Sequence, residues 1–205
     1  AASDEREHAQ LFFAFARAHG ELRGPGPLDI TGALADTDAI AIVVATVREG
    51  CIAETISAMQ LQRAASFASD PERRAALERV LAQELEHVDL AWSFVAWAYA
   101  RGDESLRAAV TAAFADAERC IPRGPDVDPS AAELARWHDA GRLSGAELHA
   151  VALHTIRTLV RPSAAELAHS SPSRCRIATS RFVYSTESSA DKCDHSGHSN
   201  SASSG

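Results

Sequence analysis

Two short stretches of this chain place a carboxylate and an imidazole three residues apart. Glu5-Arg6-Glu7-His8 is followed by Leu11 and Phe15, and Glu84-Leu85-Glu86-His87 by Leu90 and Phe94, so the pattern E-x-E-H-x-x-L-x-x-x-F occurs twice. On a helix, positions i and i+3 project from the same side, and each Glu/His pair can direct an oxygen and a nitrogen at one point, as a metal ion requires. A single such pair has a plain alternative, since Glu and His three apart are common on solvated faces. The neighbouring apolar residues argue against it. Glu84 and His87 continue the run Leu77, Val80, Leu81 and lead on to Ala91, Phe94 and Val95, while Glu5 and His8 lead into Phe12 and Phe15. Both pairs are therefore expected to point inward, where a carboxylate is costly unless paired or coordinated to metal.

The elements that must position these groups read as helices throughout. Ala, Leu, Arg and Glu dominate, and alternating apolar/polar runs are nearly absent. A first helix is expected from about Ala2 to His19, stopped by Gly20 and the Gly24-Pro25-Gly26-Pro27 run. A long connection follows. The next helix begins near Asp36, Thr37 or Asp38, any of which could cap it, and runs to about Ala68 with Ile40, Val43, Val44, Val47, Cys51, Ala58 and Leu61 on one face. Asp70-Pro71-Glu72 supplies an N-cap, a first-turn Pro and a first-turn acid, marking a helix that extends to Arg101 before Gly102.

These two helices form an antiparallel hairpin, and the hairpin supplies a third ligand. With the turn centred near Ser69, Glu54 and Glu84 are equally far from it and so lie at the same level. Glu54 also sits on the apolar stripe between Cys51 and Ala58. Glu49 is the rival, but five residues turn a helix by about 140°, which takes it off the stripe. Cys51, one turn before Glu54, either lines the site or packs as an ordinary buried cysteine.

One Glu followed by Glu-x-x-His on a facing helix, with a second Glu-x-x-His elsewhere, resembles the ferritin-like di-iron or di-manganese carboxylate family, whose four-helix bundle takes a Glu from two helices and a Glu-x-x-His from the other two. The likeness covers roughly residues 1–102, and the connection from Gly20 to Thr37 is similar to the crossover between that family's two hairpins. It implies an all-α, ferritin-like four-helix-bundle type lacking the first helix, with extra C-terminal helices. It further implies a metal site of Glu5, His8, Glu54, Glu84 and His87 for two iron ions, with manganese as the alternative. Glu5 and Glu84 would bridge and Glu54 would bind terminally. The first-helix Glu should lie about thirty residues before Glu5, so the metal near His8 would be under-coordinated. The activity implied is an oxidoreductase or ferroxidase working on dioxygen or peroxide. The alternative from another class is a non-catalytic helical interaction module with a degraded metal site.

Composition sets outer bounds. A chain of 205 residues with 46% hydrophobic content can bury a core. The net charge of -8 gives neither a nucleic-acid backbone nor an anionic membrane any electrostatic attraction. The best apolar run, Ala39 to Val47, is far short of the roughly 18 residues a membrane span needs. The four cysteines, Cys51, Cys120, Cys175 and Cys193, form no C-x-x-C pair, so neither a zinc ribbon nor a disulfide framework is expected, and a cytoplasmic setting is favoured. The chain opens without Met and without a signal segment, which reads as a processed or truncated start.

Three regions are expected: a helical bundle over 1–120, a helical extension over 121–169, and a disordered Ser-rich tail over 170–205. The bundle includes a short helix through Leu106, Val110 and Phe114. The extension holds helices over Pro129–His138 and Gly145–Val160, the second with Leu148, Val151, Ala152, Thr155, Ile156 and Leu159 on one face. An uncovered face at Phe12 and Phe15 predicts a homo-oligomer or an unstable chain. Cys193, His195 and His198 in the tail are a weak second metal cluster. His149 and His154 splay apart and read as surface residues, and Trp92, Trp97 and Tyr99 as core or rim aromatics.

Overall fold

The protein is all-α. A computed structural model describes residues 2–18, 38–121 and 129–169, with Gly20, Pro27 and Thr31 between the first two stretches, and no strand occurs among the described residues. The crossover-like connection is therefore mostly outside the described residues, as are the Ser-rich tail and its Cys193, His195 and His198. The elements are α1 (Ala2–Arg17), α2 (Ala39–Thr46), α3 (Glu54–Phe67), α4 (Pro71–Arg101), α5 (Glu104–Ala115), α6 (Ala131–Asp139), α7 (Gly145–Thr155) and α8 (Arg161–His169).

Their ends follow local chemistry. Asp38 caps α2 by accepting the Ala41 N–H, Asp70 caps α4 by accepting the Glu72 N–H with Pro71 behind it, and Asp103 caps α5 through Leu106. Ser130 and Ser144 close reciprocal capping boxes with Glu133 and Glu147 at the starts of α6 and α7.

Between α2 and α3 the chain does not break; it passes through a π-helical segment, Val47–Ala53, in which the Glu54 N–H reaches back to the Glu49 carbonyl. The segment buries Val47, Cys51 and Ile52. Gly50 lies so close to α4 that a Cβ there would stand 2.5 Å from that of Ala91, an approach only glycine permits. Thr55 continues the tie: its hydroxyl donates to the Cys51 carbonyl at 2.6 Å and accepts from the Trp92 indole N–H at 3.4 Å.

The α3–α4 hairpin is the frame. Its turn is fixed from outside by α6, because the Ser69 N–H and hydroxyl both donate to the Asp139 carbonyl, and from inside by Arg74, which donates to the Ala68 carbonyl. The core against this frame gathers Val43, Val47, Ile52, Ile56 and Met59 with Val88, Trp92 and Val95, and α5 adds Val110 and Phe114, whose ring stacks on Trp92 at 5.1 Å. α7 and α8 share that core through Ala152, Ile156, Val160 and Leu167.

The expected helix over Gly145–Val160 is longer than its apolar pattern suggested. It continues to His169 across Pro162, through a second π segment at Ile156–Val160 where the Arg161 N–H donates to the Ile156 carbonyl. Proline inside a helix lacks an N–H and crowds the preceding turn, and the wider turns of the π segment relieve that crowding. Leu148, expected on the inner face, is exposed.

Candidate metal centre

α1 runs antiparallel to α4, and this arrangement brings the two copies of the repeat together. The His8 Nδ1 stands 3.1 Å from a Glu84 oxygen and 3.7 Å from one of Glu5. The His87 Nδ1 stands 3.1 Å from Glu5 and 3.6 Å from Glu84. Each glutamate of the repeat therefore touches both imidazoles. The rings are 6.3 Å apart.

The remaining nitrogens show what holds the rings. His8 Nε2 pairs with the Gln83 amide oxygen at 2.9 Å, and His87 Nε2 pairs with an Asp4 oxygen at 3.0 Å. An amide oxygen only accepts, so His8 carries its proton on Nε2 and is left with a lone pair on Nδ1 in its neutral form; the carboxylate of Asp4 favours the same tautomer in His87. Both Nδ1 lone pairs then face carboxylate oxygens. The contact between His8 Nδ1 and Glu84 is close in distance but lacks hydrogen-bond geometry, and His8 Nδ1 and Glu84 Oε2 are buried atoms without a hydrogen-bond partner. Lone pairs converging on one space, with the far nitrogen of each ring tied to an outer acceptor, match the second-sphere pattern of metal-binding histidines.

Asp4 and Gln83 are functional candidates that the repeat pattern missed. A signal was present, since each immediately precedes the glutamate of its own motif. The residue before one Glu-x-x-His holds the histidine of the other, so the exchange is reciprocal and gives the cluster an approximate two-fold character.

Glu54 joins from α3 at the level the hairpin argument requires. The π segment lies on the side of Glu54 away from the turn, so α3 and α4 are regular helix between Glu54 and Glu84 and their register is undisturbed. Burial, then a hydrogen bond and charge repulsion from Glu84, push the Glu54 carboxyl up to about 7. Glu49 is exposed, and Cys51 is buried in the core with its thiol held high by burial.

The inward expectation divides unequally. Glu84 is 9% exposed and His8 6%, but the Glu5 side chain is 54% exposed, so the cluster opens to solvent through the first turn of α1. The ligand atoms of Glu5, His8 and Glu84 lie within 4.8 Å of one another, as do those of Glu54, Glu84 and His87, and Glu84 belongs to both groups. Three ligands about 2.1 Å from a common ion are mutually no more than about 3.6 Å apart, so each group has to draw in by up to about an ångström to close on a cation. Four carboxyl groups against two imidazoles leave negative charge for cations to neutralise.

His149 and His154 lie exposed on α7, Trp92 is core, Trp97 is exposed and Tyr99 half-buried. No described helix is long and apolar enough to cross a membrane. No family model, curated protein or solved structure matches this chain.

Proposed function

We infer that Glu5, His8, Glu54, Glu84 and His87 form a dinuclear metal site of the ferritin-like carboxylate type, iron first and manganese second, in a protein of oxidoreductase or ferroxidase character. The observation that carries this reading is the direction of the two histidines: both Nδ1 atoms face the same pair of glutamates, while both Nε2 atoms are anchored outside it. Imidazole with carboxylate suits these ions better than a thiolate-seeking metal. When bound, such a pair supplies one-electron chemistry toward dioxygen or peroxide.

The chain's own residues have separable tasks. Glu84, buried and shared, sets the centre of the cluster. Gln83 and Asp4 hold the histidine rings in the tautomer whose Nδ1 is free to bind. Glu54, with its carboxyl raised to about 7, is divided between protonated and ionised forms near neutral pH, and a bound cation would favour the ionised one. Glu5 stands at the solvent side, where a small diffusible reactant enters.

The second reading is a helical interaction module whose polar residues satisfy one another. The 3.0–3.1 Å contacts among His8, His87, Asp4, Glu5 and Glu84 favour it, because protonated histidines would close the cluster as ion pairs. Metal analysis after ferrous loading under nitrogen and desalting separates the two. One to two ions per chain in the wild type, lost in Glu54→Gln with circular dichroism unchanged, supports the metal site. A protein that retains no iron, manganese or zinc supports the module. Ferrous oxidation under air, followed by absorbance, then tests the oxidative assignment.

A further inference from the structure

The face of α4 that carries Gln83 and His87 continues beyond the first turn of α1 as Leu90, Phe94, Trp97 and Arg101. The spacing is four, three and four, which keeps these residues on one helical seam of the kind that packs against a second helix. Phe94 is half-buried against the main core, but the seam on either side of it is open. Leu90 is 64% exposed and Trp97 54% exposed, the two largest exposures among the big apolar side chains described. Phe94 stacks on Trp97 with ring centroids 6.0 Å apart, and the Arg101 guanidinium lies 5.2 Å from the Trp97 centroid, so the seam is an ordered apolar strip with a cation at one end. Scattered single apolar residues need no explanation, but a continuous strip on one helix does.

We propose that this strip is a self-association surface on which α4 of a second copy lies antiparallel. The occupant is argued from charge. In a two-fold antiparallel pair the arrangement that sets Leu90 against the second copy's Trp97 also fixes everything outside it. Glu86 precedes Leu90 by four residues and Arg101 follows Trp97 by four, so Glu86 of each copy faces Arg101 of the other. Among the described residues neither Glu86 nor Arg101 has an ion-pair partner within its own chain. The register chosen by the apolar residues therefore pairs opposite charges at both ends, and exposed Ser93 falls beside the axis, where a small residue lets two helices approach. A contact of this kind is isologous and closes on itself as a dimer.

The test uses the full chain in sedimentation velocity across a micromolar concentration series, with and without chelator. The expected result is a reversible dimer that persists without metal and becomes monomeric in Trp97→Glu. Glu86→Arg and Arg101→Glu should each weaken the dimer about tenfold or more, and the double reversal should recover most of that loss. Ser93→Cys should give a disulfide-linked dimer on mild oxidation. A monomeric wild type overturns the proposal, as it would if another helix covers the strip. So does a dimer indifferent to Trp97→Glu, or a double reversal no better than the single changes.

Discussion

Two helical regions pack on the α3–α4 hairpin from different directions and by different means. The α7–α8 region buries Ala152, Thr155, Ile156, Val160, Ser163 and Leu167, a mostly apolar set that joins the main core. α1 buries one residue, His8, and leaves Phe12 and Phe13 exposed. The first contact depends on area removed from water and is indifferent to ions. The second depends on hydrogen bonds and charges around two imidazoles, and its strength follows whatever occupies or protonates that cluster. Under the metal reading, α1 is the part of the fold whose docking responds to loading.

The largest expected effect breaks α1's side of the comparison. Glu84→Ala removes the carboxylate that both ligand groups share, and metal affinity should fall more than a hundredfold, since even outer-shell changes cost roughly 10- to 100-fold. Hydrogen exchange of α1 amides should then lose its metal dependence, while that of α7 stays as it was. Unchanged metal retention in this variant would defeat the assignment of the site.

Ile156→Ala breaks the other side. It is fully buried in the shared core, and the truncation should cost about 2–5 kcal/mol in denaturant unfolding. Metal per folded chain should not change. If it falls together with stability, the two contacts are coupled and the contrast is wrong.

Gln83→Leu sharpens the contrast within the cluster. It removes the acceptor on His8 Nε2 without touching a ligand, and the expected loss is about 10- to 100-fold in metal affinity. Asp4→Leu should do the same through His87, and equal losses would support the reciprocal arrangement.

The smallest effect is in pH. The Glu54 carboxyl is raised from its usual 4.5 to about 7, so the folded metal-free protein holds a proton that the unfolded chain gives up more readily. Glu54's contribution to stability is then fully present below pH 4.5 and is lost as pH rises through 7. Chelated protein should lose stability across that interval, measured by thermal melts in a pH series, and Glu54→Gln should flatten the slope. A slope unchanged by that substitution would remove Glu54 as its source.

Much of this arrangement was legible in the residues because it rests on local chemistry. Asp70-Pro71 and Gly102 mark helix ends by capping and by proline and glycine stereochemistry, and the hairpin follows from them; the cap of α2 was narrowed only to Asp36, Thr37 or Asp38, of which the structure uses Asp38. Equal distance from Ser69 then placed Glu54 beside Glu84. What was not legible depends on contacts between elements. Nothing in Val47–Ala53 distinguishes an i+5 hydrogen bond from an i+4 one, and the close approach of Gly50 to Ala91 becomes visible only once the segment is laid on α4. The continuation of the last helix past Pro162 was hidden for a similar reason, since the segment that relieves the proline carries no residue signature. Asp4 and Gln83 look like ordinary polar helix residues until α1 and α4 are laid side by side. The solvent exposure of Glu5 follows from the same docking, which leaves one end of the cluster open.

The position of the first π segment has a consequence for how this sequence tolerates length changes. Each of its turns holds one residue more than an α-helical turn, so deleting a single residue from Val47–Ala53 can restore a regular helix while leaving every residue from Glu54 to His87 in step. α2 keeps its phase as well, because the turn of about 100° lost with one residue is the turn that the wider π geometry had already absorbed, so the same side chains still meet α4 and α5. The segment thus acts as a phase joint: a residue lost there is taken up by the width of its turns, and the spacing of the candidate ligands beyond it stays intact.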